Sequence, residues 1–334
     1  ANEQTRVVKK YEGNIGDNIQ KILRDVLKVT TDIDVDNTSA PYNFIGNDRK
    51  PFYVCTWLAS KSIPEVTSEG GTSGKGRAAG YLFFQTRDGY HFKSIDKIFS
   101  GTAKKKYIFN NSTSIPDNYD AKILTYDINS DVDVGKNLMM GMYNNRSIFF
   151  DPLSFNYEVR SFPKAETPSV EGDIVSDVTP VPTEDEYLEK TQNAAEEPVA
   201  KLIPDEFRQS PTRFMSFVLD TGVMPTGITS QDQLNTWQDE KAKDNFDVKE
   251  TMSQSIMRYS QLFTVKTEIT IPGDFTIKAG DIIKCDFPDL SGSEVKGVNP
   301  ETKGIYMVAS VCHRITPTSS NTSLTLVRDS FGEK

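Results

Sequence analysis

The chain has few of the side chains that carry metal and acid–base chemistry. Its 334 residues include two histidines and three cysteines. So few cysteines, in an odd number, do not make a disulfide framework. No Cys-x-x-Cys or His-x-x-x-His spacing occurs, which argues against the common zinc sites. Cys55 and Cys285 are predicted to be small buried apolar residues, and His91 and His313 to be structural. The sequence therefore assigns no catalytic residue, no cofactor-binding residue, no metal ligand and no cofactor.

Long apolar runs and an excess of basic residues are also lacking. No window approaches the roughly 20 apolar residues of a membrane span, and residues 1–6 do not show the pattern of a signal peptide. The net charge of −9 argues against a general nucleic-acid binder, which would carry a basic excess. We expect no membrane anchor and no direct nucleic-acid binding. Because the first residue is not Met, we also expect a piece of a longer protein.

The negative charge is concentrated in one segment. Residues 165–206 hold twelve acidic and two basic residues together with five prolines, so the rest of the chain is close to neutral. Acidic, proline-rich composition with few aromatic residues is typical of a solvated linker or insertion. We expect this segment to lie outside any core.

The first hundred residues predict a small α+β unit. Apolar residues from Ile15 to Leu27 recur at spacings of three and four, which predicts a helix behind an N-cap at Asn14. Pro51 fits the first position of a second helix that ends near Lys61. Two β-prone runs, 81–85 and 90–94, flank Asp88-Gly89, which indicates a hairpin.

The remainder predicts mostly strands. Alternating or β-branched runs occur at 122–128, 147–150, 155–162, 263–271, 277–285, 305–311 and 324–327. Residues 212–219 and 246–261 read as helical, and 137–143 fits either a helix or a strand. Short strands separated by Gly, Pro and Ser turns indicate a small barrel.

The fold class is therefore α+β: a small α+β domain followed by an antiparallel β-barrel that is interrupted by an acidic, partly helical insertion. We place the α+β domain at 1–105 and the first barrel strands at 106–163. The insertion spans 164–250, and a helix with the remaining barrel strands spans 251–334.

Two motifs resemble known ligand-binding loops but lack residues that those loops require. The glycine-rich run Gly70–Gly76 has Glu69 and Gly76 where a phosphate-binding loop needs Gly and Ser or Thr. The run Asp127–Asp133 resembles a calcium loop, but Val132 and Leu138 stand where the EF-hand needs Gly and an acid. A loop and a polar turn are the better interpretations.

The order of these elements resembles a known family. The stretches that carry the resemblance are Tyr11–Ile19, Asp48–Phe52 with Trp57–Ala59, Tyr81–Phe92, Ile271–Gly273 and Ile277–Ile283. Together they resemble the central baseplate hub (tail hub) proteins of contractile-tailed bacteriophages, which are related to the spike-base proteins of type VI secretion. The resemblance covers most of the chain apart from the acidic insertion.

The resemblance implies a structural protein without catalytic residues. Family members alternate a small α+β domain with two similar barrels, and three subunits place six barrels in a ring that adapts the tail tube to the central spike. The implied partners are the tail tube, the spike, other baseplate proteins and two further copies of the chain. The implied location is the virion tail baseplate, assembled in the host cytoplasm. Strands from Lys122 to Phe162 and from Phe263 to Val327 would form one barrel, and the family's first barrel would lie before Ala1.

Two other classes of function stay open. A carbohydrate- or ligand-binding module of a phage or cell surface could use aromatic side chains as stacking platforms, so exposure of Trp57 and Trp237 would favour it. A cell-wall hydrolase would require a cleft with two carboxylates about 5 to 10 Å apart.

Overall fold

The computed structural model describes residues 1–39, 41–65, 78–110, 114–129, 133–152, 155–163, 187–189, 191–208, 211–218, 248–289 and 298–332. Gly70–Gly76, Asp131, Val132, Trp237 and the first part of the acidic segment lie outside these ranges. The described part combines helices with a curled seven-stranded sheet and smaller sheets, so the predicted α+β class with a barrel-like domain is confirmed.

The first helix forms where the apolar periodicity predicts it. Helix α1 (Ile15–Lys21) continues as a π-helical segment (Ile22–Val26), and Ile15, Ile19, Ile22 and Leu23 are fully buried. Asn14 occupies the N-cap position, but its side chain makes no capping hydrogen bond. The hydroxyl of Thr38 instead accepts a hydrogen bond from the Gly16 N–H at 2.9 Å. A residue distant in sequence therefore satisfies this free donor of the helix start.

The rest of the α+β unit also follows the predicted order. Short strands β1 (Lys10–Tyr11) and β3 (Phe44–Ile45) pair with each other, and helix α2 covers Pro51–Ala59. Strands β2 (Asp32–Val35), β4 (Tyr81–Gln85) and β5 (Gly89–Ser94) form a sheet in the order β2-β5-β4. The predicted hairpin is thus confirmed as β4–β5, and helix α3 (Ile95–Phe99) follows it.

The two ends of the seven-stranded sheet are formed by consecutive parts of the chain. The strands of this sheet are β6 (Lys105–Ile108), β7 (Ala121–Lys122), β8 (Thr125–Asn129), β12 (Val265–Pro272), β13 (Ile282–Asp286), β14 (Gly304–Ile315) and β15 (Ser320–Arg328), in the order β7-β6-β13-β14-β15-β12-β8. Between β7 and β8, Ile123 N–H donates to Ile108 O at 2.8 Å, and Leu124 N–H donates to Thr270 O at 2.7 Å. One stretch of chain therefore pairs with β6 on one side and β12 on the other, which curls the sheet around an apolar interior.

A separate three-stranded sheet contains strands that we expected in the barrel. Strands β9 (Asn145–Asp151) and β10 (Asn156–Phe162) form a hairpin, and β11 (Arg213–Val218) pairs with β9 in parallel. The expectation that all strands from Lys122 to Phe162 join the barrel is therefore wrong for β9 and β10. The helix predicted at 212–219 is also wrong, because its side chains alternate across a sheet. The domain boundaries given above stay a prediction.

A polar helix lies at the centre of these units. Helix α6 (Val248–Leu262) is confirmed where the sequence predicts a helix, after α4 (Val134–Met140) and α5 (Asp205–Arg208). Its Tyr259 hydroxyl donates to Tyr81 O at 2.5 Å, and its Ser255 hydroxyl donates to Ser60 O at 2.8 Å. On another side, the Asn145 side chain donates to Ser253 O at 3.3 Å. The helix thus joins the α+β unit to the three-stranded sheet.

The second half of the acidic segment packs inside the protein. Tyr187, Leu188, Val199 and Ile203 are buried and share an apolar cluster with Met257 of α6. For the described residues 187–189 and 191–203 the expectation of a segment outside any core is wrong. The segment is acidic on average, but it contains a few apolar side chains, and burying these is enough to hold it against the core.

Candidate functional surfaces

The histidine and cysteine side chains, which could carry acid–base or metal chemistry, lie in different parts of the fold. The imidazole of His91, on β5, contacts the Thr86 hydroxyl at 2.8 Å, and that of His313, on β14, contacts the Thr322 hydroxyl at 2.9 Å. Cys55 and Cys285 are buried as predicted, and burial raises the pKa of both thiols. In the described ranges, no group of three or more His, Cys, Asp and Glu residues could hold a metal ion.

The strongest charge cluster is inaccessible to a substrate. Arg258 of α6 is fully buried, and its Nε donates to Asp96 Oδ1 at 2.9 Å while Nη1 donates to Asp329 Oδ2 at 2.5 Å. Asp329 also accepts the Ala194 N–H at 2.7 Å, and Asp96 accepts the Ala78 N–H at 3.2 Å. Burial raises the pKa of Asp96 and outweighs the guanidinium, which lowers it. This buried cluster holds α3, α6, the 194–195 loop and the end of β15 together.

Nothing in the sequence pattern marked Arg258 as a buried residue. It follows Met257 and precedes Tyr259 in a helix whose other residues are largely polar. A sequence reading places such an arginine in solvent, since isolated charges are rarely buried. Its two carboxylate partners lie 162 and 71 residues away in the chain, so no local signal reveals them.

A cleft of about 400 Å³ separates the β2-β5-β4 sheet from the turn before β13. Its cations already have carboxylate partners: Lys93 lies 2.5 Å from Asp34 and 3.1 Å from Asp36, and Lys97 lies 2.9 Å from Asp36. Burial opposes the charge of Asp34, but hydrogen bonds from Lys93 and His91 lower its pKa. Lys278, on the other wall, pairs with Asp88. The charged side chains that line the cleft therefore pair with each other, and this does not favour binding of a charged ligand.

The three-stranded sheet has one buried face and one apolar exposed face. Phe149 and Phe217 point to the buried side, where their rings stack at 5.5 Å. On the opposite side lie the six residues that we call the apolar sheet face: Ile148, Phe150, Tyr157, Val159, Phe214 and Val218. Tyr157 is 73% exposed, Phe214 63% and Val218 69%. A contiguous apolar surface of this kind marks an interaction site.

The sequence predicted strands at β9 and β10 but not this face. β9 and β11 are consecutive in the sheet but lie about sixty residues apart in the chain. Because the pattern of β11 predicts a helix, it does not place the exposed Phe214 and Val218 beside Arg146 and Phe150 of β9.

Trp57 does not form a stacking platform. Its ring makes edge contacts with Tyr42 at 5.8 Å and with Phe44 at 5.6 Å, and the Lys61 ammonium lies 4.9 Å from its centre. The Trp57 ring is therefore partly buried within the protein's own core. Among the described residues, no helix is long and apolar enough to cross a lipid bilayer.

Comparison with known proteins identifies a shared fold. No family model and no curated protein matches the sequence. The crystal structure of the tail protein from Neisseria meningitidis MC58 is similar over 98% of this chain and 71% of its own, with a TM-score of 0.50 and 10% sequence identity. A 43 kDa tail protein of prophage MuSo2 from Shewanella oneidensis is similar over 98% of this chain and 70% of its own, with a TM-score of 0.45 and 10% identity. The likeness to the Neisseria protein is, at 10% identity, one of fold.

Proposed function

We propose that the chain is a structural component of the baseplate hub of a contractile phage tail, where it adapts the tail tube to the central spike within a trimeric ring. The observation that carries the proposal is the shared fold with the Neisseria tail protein, which extends over 98% of this chain. The hub role and the trimer come from the sequence resemblance, which rests on the order of the same elements.

The described surfaces fit a protein that binds proteins. Arg258, Asp96 and Asp329 are buried and paired with one another, the cleft is lined by ion pairs, and the outer face of the three-stranded sheet is apolar. Such surfaces favour protein contacts over chemistry on a small substrate. The proposal therefore includes a location in the virion, no catalytic activity, and no direct binding to nucleic acid or membrane.

Carbohydrate binding and hydrolysis have less support. The ring of Trp57 is packed against Tyr42 and Phe44, and Trp237 lies outside the described residues. Asp96 and Asp329 approach one another only through Arg258 in the interior, where no substrate reaches them. The cleft does hold carboxylates, among them Asp34 and Asp36, but both of these pair with Lys93, and the lowered pKa of Asp34 does not suit the general acid of a hydrolase.

Binding to purified tail proteins tests the proposal. The chain would be mixed with the tail-tube and spike proteins encoded in the same genome and analysed by sedimentation. We expect a complex with at least one of them, and a chain that binds neither would overturn the hub assignment. An unrelated β-barrel protein of similar net charge is the control for nonspecific association.

A further inference from the structure

We propose that the apolar sheet face is the surface on which a second copy of this chain binds. The inference rests on the proposed function, in which each subunit contacts further copies in a ring, and it names the part of the surface involved. The face consists of outward residues from β9, β10 and β11, as defined above.

The strand register brings the apolar side chains together. Phe150 of β9 lies between Tyr157 of β10 and Val218 of β11, and Ile148 pairs with Val159. Successive side chains on a strand point to opposite faces, so these residues share one side of the sheet. Phe155, in the turn between β9 and β10, is 80% exposed and extends the face at its end.

The opposite side of the same sheet is already covered. Phe149 belongs to the apolar core that contains Val248 and Met252 of α6. Lys249 of α6 also pairs with Glu158 of β10. The sheet is therefore one layer with helix on its inner side, and its outer apolar side has the composition of a second buried layer.

The exposed area suits one side of a stable protein contact. At about 200 Å² per aromatic side chain, the exposed fractions of Phe150, Phe155, Tyr157 and Phe214 amount to roughly 500 Å² of aromatic surface. The aliphatic Ile148, Val159 and Val218 add to this area. A stable complex buries about 800 Å² on each partner, so a copy seated on this face and its rim would meet the requirement.

The composition of the face favours a permanent contact between copies. Interfaces between permanent partners are more apolar than transient ones, and charged residues are depleted at their centre. The charged side chain on the outward row, Arg146, lies 5.8 Å from the Phe214 ring centre, and Ser161 and Ser216 occupy other outward positions. A strongly charged partner would find little complementary charge here.

The barrel surface provides an internal comparison. On its outer side, Thr125, Lys266, Glu268, Thr270 and Ser323 are polar, and the Thr270 and Ser323 hydroxyls lie 3.3 Å apart. The chain thus places polar residues on a sheet face that solvent covers. The apolar sheet face departs from this rule in the same molecule.

Sedimentation of matched variants tests the inference. Tyr157→Lys combined with Phe214→Lys places two charges on the apolar sheet face, and Thr30→Lys combined with Thr31→Lys places two on an exposed loop of the α+β unit as the control. We expect the wild-type chain to sediment as an oligomer, with at least twice the 37.4 kDa mass of one chain. The face variant should associate at least about 100-fold more weakly, because two large aromatic anchors are lost, whereas the control should match the wild type.

Each other result overturns the inference in a recognisable way. A wild-type chain that stays monomeric, or an assembly that the face variant leaves intact, contradicts it while binding to tail proteins still supports the hub function. Loss of spike or tube binding in the face variant of a monomeric chain would assign the face to that protein instead. Failure of the wild type to bind any tail protein refutes the proposed function itself. If the lysine variant does not fold, as judged by circular dichroism, Tyr157→Ser with Phe214→Ser makes the same test.

Discussion

Replacing Arg258 by Met should destabilise the protein more than any single change on its surface. Arg258 is fully buried between Asp96 and Asp329, and both carboxylates are also buried. Arg258→Met keeps most of the side-chain volume but leaves two buried carboxylates without their cation. Removing one partner of a buried ion pair costs about 3 to 5 kcal/mol, because the remaining charge is uncompensated.

The expected loss is large enough for a thermal melt. At roughly 2.1 cal/mol/K per residue, 334 residues that unfold together would lose about 4 to 7 °C in Tm. Urea denaturation followed by circular dichroism gives the corresponding free energy of unfolding. The control is Arg87→Met, because Arg87 is largely exposed and pairs with Asp88 at 3.4 Å. That change should alter stability by no more than about 0.5 kcal/mol.

A triple variant separates charge from packing. Adding Asp96→Asn and Asp329→Asn to Arg258→Met removes the uncompensated charges and keeps amide oxygens that can accept the Ala78 and Ala194 N–H bonds. We expect it to recover at least half of the lost stability. If Arg258→Met costs less than about 1 kcal/mol, the cluster is not the junction that we describe.

Three further predictions test the barrel, a close contact and the thiols. Leu124→Pro removes the N–H that bonds to β12 and should cost about 1 to 3 kcal/mol more than Leu124→Ala in urea unfolding; equal costs would show that this bond does not hold the sheet ends together. Gly280→Ala should lower stability more than Gly13→Ala, since both have positive φ but only at Gly280 would the new Cβ lie 2.6 Å from the Phe84 ring; equal Tm losses would contradict the contact. In a thiol assay, native protein should react rapidly at Cys312 alone and show three thiols after unfolding, and a second fast thiol would contradict the burial.

Local patterns predicted the elements that depend on neighbouring residues. The apolar spacing in α1, the proline at the start of α2 and the Asp88-Gly89 signal all lie within the elements that they specify. The alternation in β12 likewise gives buried and exposed residues in turn. These patterns identify a face of a helix or strand because the chain itself brings the residues together.

Features that depend on distant pairing were missed. β11 was predicted to be helical because nothing nearby signals its parallel pairing with β9, about sixty residues earlier. The burial of Tyr187 and Val199 was hidden by the surrounding acidic residues. The apolar sheet face combines both difficulties, since it needs β11 as a strand and β9 as its neighbour. No candidate site residue could be predicted, because the proposed site is a surface made by sheet pairing.

Electron cryomicroscopy of tails from the phage or prophage that encodes this chain tests the central claim most directly. The account predicts three copies of the fold in a ring between the tail tube and the spike, with the apolar sheet face of each copy against a neighbouring copy. A map in which tube and spike meet without this chain would contradict the account.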